Sequence, residues 1–190
     1  MRVTLIRHGA VEERYAGCYN GHLDIALSTS GREQALRLAA HFANASFDAV
    51  YCSDLKRARQ TLEPFALTAE PRFTPSLREK SWGRHEGKRF EEIVAEEGLV
   101  YESFRQWIAA LDGEAPEAYI ERVRHFFTEF LPKEPHRNVL VVTHAGVVRT
   151  LMHLLNAIPL EAAFATPFPC GACVELDLEQ GRFGEVLCVG

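Results

Sequence analysis

Val3-Thr4-Leu5-Ile6-Arg7-His8-Gly9 is an apolar run that stops at a cation, an imidazole and a glycine. The pattern recurs far downstream, where Val139-Leu140-Val141-Val142 stops at Thr143-His144-Ala145-Gly146. Short apolar runs set between helical periodicities read as strands of a mostly parallel sheet. Open α/β sheets bind ligands at the carboxyl ends of their strands. Two strands of this kind bring two histidines to the rim of a sheet. Gly9 reads as a place where a ligand can approach the backbone closely.

Working outward, Val3–Arg7 is predicted as the first strand, and Thr29 or Ser30 as the cap of a helix over Arg32–Ala43. That helix is expected to turn Ala35, Leu36, Leu38, Ala39 and Phe42 inward. Phe47–Cys52 reads as a strand followed by a helix from about Asp54, and Arg72–Thr74 as a further short strand. After a loop, Ser76–Lys88, a helical stretch runs from Arg89 to Leu111, broken near Gly98. Asp112–Pro116 is turn material, and Pro116 suits the first turn of a helix reaching Leu131. Val139–Thr143 is the next strand and Val147–Asn156 the next helix; Val174–Leu178 and Phe183–Val189 read as a closing hairpin. The expectation is one α/β domain over residues 1–190, with residues 76–116 an insertion over the sheet edge and the active site.

Composition excludes several classes. The 190 residues carry a net charge of −5, which disfavours a nucleic-acid surface and leaves room for a local pocket that takes a small anion. No apolar stretch approaches the length of a membrane span, and the N-terminus enters a strand directly without a signal-peptide pattern. The five cysteines have no framework spacing, as in a reduced, cytoplasmic protein. Cys170-Gly-Ala-Cys173 lies before a strand rather than at a helix start, so a redox role is weakly supported.

Four segments carry chemistry: Arg7-His8-Gly9, Ser53–Thr61, Leu77–Gly87 and Val142–Arg149. Phosphoryl transfer rests on positioning and on stabilising charge spread over the equatorial oxygens. Arginine forks such as Arg7 and Arg57 suit that task. A neutral imidazole can attack phosphorus, a second one can hydrogen-bond to the same oxygens, and a carboxylic acid such as Glu79 can protonate the leaving alkoxide.

These residues, as Arg7-His8-Gly9, Ser53-x-Leu55-x-Arg57-Ala58-x-Gln60-Thr61, Leu77-x-Glu79 with Gly83 and Glu86-Gly87, and Thr143-His144-x-Gly146-Val147-Val148-Arg149, resemble the histidine phosphatase superfamily, the phosphoglycerate-mutase-like proteins. The resemblance covers nearly the whole chain. It implies a three-layer α/β/α sandwich and a phosphomonoesterase with His8 as the phosphorylated nucleophile. It also implies a phosphate pocket of Arg7, Arg57 and His144, Glu79 as the proton donor, and no metal or organic cofactor. Gly17–Leu27 resembles a segment of the alpha-ribazole phosphatases, which remove a 5′-phosphate from a benzimidazole riboside. The chain departs from that pattern at Asn20, carries Ala10-Val11 where Glu-Thr is common, and has Arg14 where many members carry asparagine. Arg14, Asn20, Gly21 and His22 are the expected substrate contacts.

The expected partner is a small phosphorylated metabolite, with neither nucleic acid nor membrane, and a homodimer could form through the C-terminal hairpin edge. The alternatives are a broad-specificity phosphatase, a mutase-type isomerase, a phospho-ligand module without turnover, and a metal site drawn from His8, His22, His85 and His144. His85 reads as packing or hydrogen bonding. Arg149 fits either a solvated helix face or the site's surroundings. Phe104 with Trp107 reads as helix packing rather than a base-stacking platform.

Overall fold

The chain is described by a computed structural model over residues 1–98 and 101–189, so Leu99 and Val100 of the expected Arg89–Leu111 stretch, and Gly190, lie outside the described residues. The strands are β1 (Arg2–Arg7), β2 (Ala49–Ser53), β3 (Pro71–Thr74), β4 (Asn138–Thr143), β5 (Ala172–Asp177), β6 (Arg182–Phe183) and β7 (Leu187–Cys188). The helices are α1 (Thr29–His41), α2 (Lys56–Leu62), α3 (Phe90–Glu97), α4 (Phe104–Ala110), α5 (Pro116–His125), α6 (Ala145–Asn156) and α7 (Leu160–Ala165).

The strands form one sheet in the order β3-β2-β4-β1-β5-β6, with β7 also paired to β5. The first four strands in that order run parallel, and β5 joins β1 antiparallel. The period-two pleat sorts the side chains into two cores. Val3, Leu5, Val139 and Val141 face Tyr119, Val123, Val148 and Leu151 of α5 and α6. Ile6, Val50, Leu140 and Val142 face Leu38, Ala58 and Leu62 of α1 and α2. This is a three-layer sandwich. A third cluster, Trp82, Ile93, Trp107, Ile108 and Leu111, holds the segment that carries α3 and α4 together.

Several local expectations need correction. The cap of α1 is Ser28, whose hydroxyl accepts from the Gly31 amide at 3.1 Å, rather than Thr29 or Ser30. Leu36, expected inside, is 61% exposed. The inward line of α1 is Gly31, Ala35 and Leu38, and at 3.6 residues per turn Leu36 points about 140° away from Gly31. The return arm of the hairpin is broken into β6 and β7, two residues each, which leaves little edge for self-pairing. The six-residue helix α7, opening after Pro159, was not expected. Helix α6 begins at Ala145, two residues before the expected start, so its first turn follows His144 directly.

Candidate active site

Strands β1 and β4 are neighbours in register, with Arg7 opposite Thr143, and their next residues are the two histidines. The His8 amide donates to the Thr143 carbonyl at 3.0 Å, and the two imidazoles stand edge to face at 5.1 Å between centroids. His8 Nδ1 lies 2.7 Å from the Gly9 carbonyl oxygen. A carbonyl can only accept, so Nδ1 carries the proton and Nε2 keeps its lone pair. Burial, followed by the charges of Arg57 and Arg7, holds the His8 pKa well below the usual imidazole range. His144 is held down in the same way, by burial and then by Arg57 and His8. Its Nε2 is 2.9 Å from the Ser53 hydroxyl at the end of β2, while its buried Nδ1 has no protein partner.

Arg57, in the first turn of α2, is 1% exposed. Its two amino groups donate to the Leu23 carbonyl at 2.8 Å and the Gly21 carbonyl at 2.7 Å, which ties the Gly17–Leu27 loop to the rim of the sheet. Burial brings its pKa down to about 10, so it remains a cation at neutral pH. Arg7 donates to the Phe168 carbonyl at 2.5 Å, and its buried Nε has no protein partner. Thr61 links the two segments: its hydroxyl donates to the Arg57 carbonyl at 2.7 Å and accepts from the Gly9 amide at 2.9 Å.

Glu79 faces the first turn of α6. Its Oε2 accepts from the Gly146 amide at 3.0 Å, and its Oε1 accepts from the Tyr119 hydroxyl at 3.0 Å and the Lys80 amide at 3.1 Å. The carboxylate thus satisfies an orphan amide at a positive helix end. A Cβ on residue 146 would come within 2.0 Å of Glu79 Oε1, so this approach demands glycine. Burial, with the Glu79 charge second, raises the Tyr119 pKa well above the usual phenol value, so the hydroxyl stays a donor. Arg122 holds the preceding loop by donating to the carbonyls of Ser76 (2.9 Å), Arg78 (3.0 Å) and Glu79 (3.3 Å).

Arg7, His8, Asn20, Gly21, Arg57 and Glu79 line one cleft of about 640 Å³, with His144 buried behind His8. Two expected substrate contacts stand elsewhere. Arg14 is exposed, pairs with Glu12 at 3.1 Å and covers the Tyr15 ring. His22 does not line the cleft; its Nε2 donates to the Glu79 carbonyl at 2.9 Å, supporting the loop from behind. Gly9 also has a different reason from the one expected. A Cβ there would meet the Gly31 carbonyl oxygen at 2.5 Å, so close packing of β1 against the start of α1 by itself requires this glycine.

His85 is fully buried and bridges Glu97 Oε1 and the Asp112 amide, each at 3.0 Å, so it joins two ends of the segment between β3 and α5. Cys170 lines the cleft, whereas Cys173 is buried in β5; the five cysteines are all free. Arg149 lines the cleft and donates through Nε to the Thr166 carbonyl at 3.0 Å. Tyr119 and Arg122 escaped the sequence reading, because a lone hydroxyl or arginine carries no spacing signal; Ser53 stood in a quoted motif but without a role, which its contact with His144 supplies. Among the described residues no group of three or more His, Cys, Asp and Glu side chains is arranged to hold a metal ion, and no helix is long and apolar enough to cross a membrane.

An uncharged imidazole with a free lone pair, two arginines beside it and a carboxyl group on the same cleft form a constellation suited to phosphoryl transfer. The chain belongs to the histidine phosphatase superfamily (branch 1), which it matches over residues 3–189, and it is a phosphatase. Among its relatives, the adenosylcobalamin/alpha-ribazole phosphatase of Escherichia coli (strain K12) is 31% identical over 185 residues, covering 95% of this chain and 91% of that protein. The enzyme of the same name from Salmonella typhimurium is 31% identical over 189 residues, covering 95% and 92%. The crystal structure of the alpha-ribazole phosphatase from Shigella flexneri superposes with a TM-score of 0.85 at 29% identity, covering 99% of this chain and 96% of that one.

Proposed function

We propose that this phosphatase hydrolyses alpha-ribazole 5′-phosphate through a phosphohistidine at His8. The observation that carries the mechanism is the hydrogen bond from His8 Nδ1 to the Gly9 carbonyl, which leaves Nε2 unprotonated among buried cations. Nε2 attacks phosphorus; the N–P bond forms as the P–O bond to the sugar oxygen breaks. Arg7, Arg57 and His144 hydrogen-bond to the phosphoryl oxygens and offset the charge that builds there. Glu79 gives a proton to the departing alkoxide. It then takes a proton from water as that water attacks the phosphohistidine, which breaks the N–P bond and releases inorganic phosphate. Each turnover returns both groups to their starting states.

The substrate assignment is supported by the names of relatives that align over more than nine-tenths of this chain. It is also supported by a cleft of about 640 Å³, ample for a phosphorylated riboside. The test is a panel of alpha-ribazole 5′-phosphate, 3-phosphoglycerate and a chromogenic aryl phosphate. The proposal expects the highest kcat/KM on the riboside, with phosphate as product, no exchange between glycerate phosphates, and loss of turnover in His8→Ala. Equal kcat/KM across the panel contradicts the substrate assignment, and full activity of His8→Ala contradicts the mechanism.

A further inference from the structure

Beyond the charged residues the cleft is lined by small and aliphatic side chains and by aromatic ones; apart from Tyr15, whose ring lies under Arg14, the aromatic rings come from three separate parts of the chain. Tyr19 comes from the loop after β1, Trp82 and Phe104 from the segment between β3 and α5, and Phe164 from α7. None of these rings is left loose. Tyr19 meets Trp82 edge to face at 5.1 Å, and its hydroxyl accepts from the Trp107 indole N–H at 2.9 Å. The ammonium of Lys80, a residue 3% exposed as a whole, lies 4.2 Å from the centre of the Trp82 ring. Phe104 and Phe164 pack against each other at 5.1 Å, joining α4 to α7 at the cleft.

From this geometry we infer that Tyr19, Trp82, Phe104 and Phe164 form the leaving-group subsite, and that it selects phosphomonoesters whose sugar carries a flat heteroaromatic ring. The inference rests on the phosphatase reading above and adds what that reading lacks, the residues that choose the substrate. Aromatic walls stabilise a planar ring by stacking and by removing its faces from water. They offer nothing to the carboxylate of a small phosphorylated acid. Such an acid needs surplus positive charge, yet beyond Arg7, Arg57 and Glu79 the charged residues lining the cleft are Arg149 and Glu161, of opposite sign, among the described residues. The expectation that Phe104 serves only helix packing is therefore incomplete: one of its faces packs on Phe164 while the residue also lines the cleft.

The experiment separates binding of the ring from hydrolysis of the ester. A benzimidazole riboside without phosphate is titrated against the intact enzyme, using the fluorescence of its two tryptophans, Trp82 and Trp107. Ribose serves as the control ligand. The same riboside is titrated against Phe164→Ala and against Phe104→Leu, which keeps bulk but removes the flat face. The inference predicts saturable binding of the riboside, none of ribose over the same range, and binding weaker by about tenfold in each variant. It also predicts that the kcat/KM ratio of the riboside phosphate to ribose 5-phosphate drops by a similar factor in both variants. Riboside binding no tighter than ribose, or unchanged in the variants, overturns the subsite whatever the enzyme hydrolyses. Riboside binding that depends on Phe104 and Phe164, with no preference for the riboside phosphate in turnover, supports the subsite and overturns the substrate assignment instead.

Discussion

Gly146→Ala is the smallest change that should separate proton donation from phosphate binding. The new methyl group would stand 2.0 Å from Glu79 Oε1 and 2.8 Å from the Tyr119 hydroxyl, against an ordinary contact of 3.4 Å or more. Relieving the clash at Oε1 alone requires the carboxylate to retreat by about 1.4 Å. That shift breaks its 3.0 Å bond from the Gly146 amide. Displacement of a reacting group by about 1 Å costs on the order of 10²-fold, and general acid catalysis as a whole contributes about 10²–10⁴-fold. The kcat/KM for an alkyl phosphate, which reports phosphorylation of His8 and not the later attack by water, should therefore fall by roughly 10²–10³-fold. An aryl phosphate whose phenolate leaves without a proton should lose less than about tenfold. Stability falls modestly: alanine in a helix gains up to about 1 kcal/mol over glycine, the lost hydrogen bond to the carboxylate costs about 1.5–3 kcal/mol, and the net loss is about 0.5–2.5 kcal/mol. The assay is steady-state kinetics on both esters, with a melting curve to confirm folding. Equal slowing of both esters, or of neither, would refute Glu79 as the donor held by this helix end.

Four further outcomes follow from the same geometry. His8 and His144 are held uncharged in the folded chain, so the unfolded chain binds more protons below the ordinary imidazole pKa of about 6.5. Their contribution to stability is present above about pH 6.5 and is lost as pH falls below it; a melting temperature that does not decline from pH 7 to 5 counts against this. The acid limb of kcat/KM should likewise lie below about pH 6.5. Arg57→Lys gives up the fork that holds the carbonyls of Gly21 and Leu23, so kcat/KM should drop by roughly 10²-fold with a loss of about 1–3 kcal/mol in denaturant unfolding. Ser53→Ala strips His144 Nε2 of its partner inside the core, and a stability cost below about 1 kcal/mol would show that this bond does not hold the ring.

The parts of this molecule that could be read in advance are those where one periodicity dominates. The runs Val3–Ile6 and Val139–Val142 are apolar on both faces, which only a central parallel strand requires, and they emerged as the neighbours β1 and β4. Helix α6 declared itself in the same way. The misreadings arose where tertiary contact overrides local pattern. Leu36 has the right residue type on the wrong side of α1, and α7 is too short for a period to register. Gly9 answers to the backbone of Gly31, 22 positions away in the chain, and no local signal could reveal that contact. At the site, Arg7 and His8 were nominated from their place at a strand end, and Arg57 and Glu79 from the motifs around them; these four line the cleft, whereas Arg14 and His22, nominated from the family resemblance of their loop, stand off it. The aromatic wall was illegible because its rings come from three segments that only the fold brings together.

The central claim is that phosphorus bonds to His8 during turnover. Mixing enzyme with an isotopically labelled phosphomonoester, quenching in alkali within milliseconds and mapping the labelled peptide tests it directly. Near-stoichiometric label is expected on the peptide containing His8, stable in alkali, released by acid and absent from His8→Ala. Steady turnover with no label on His8, or label on any other residue, would contradict it.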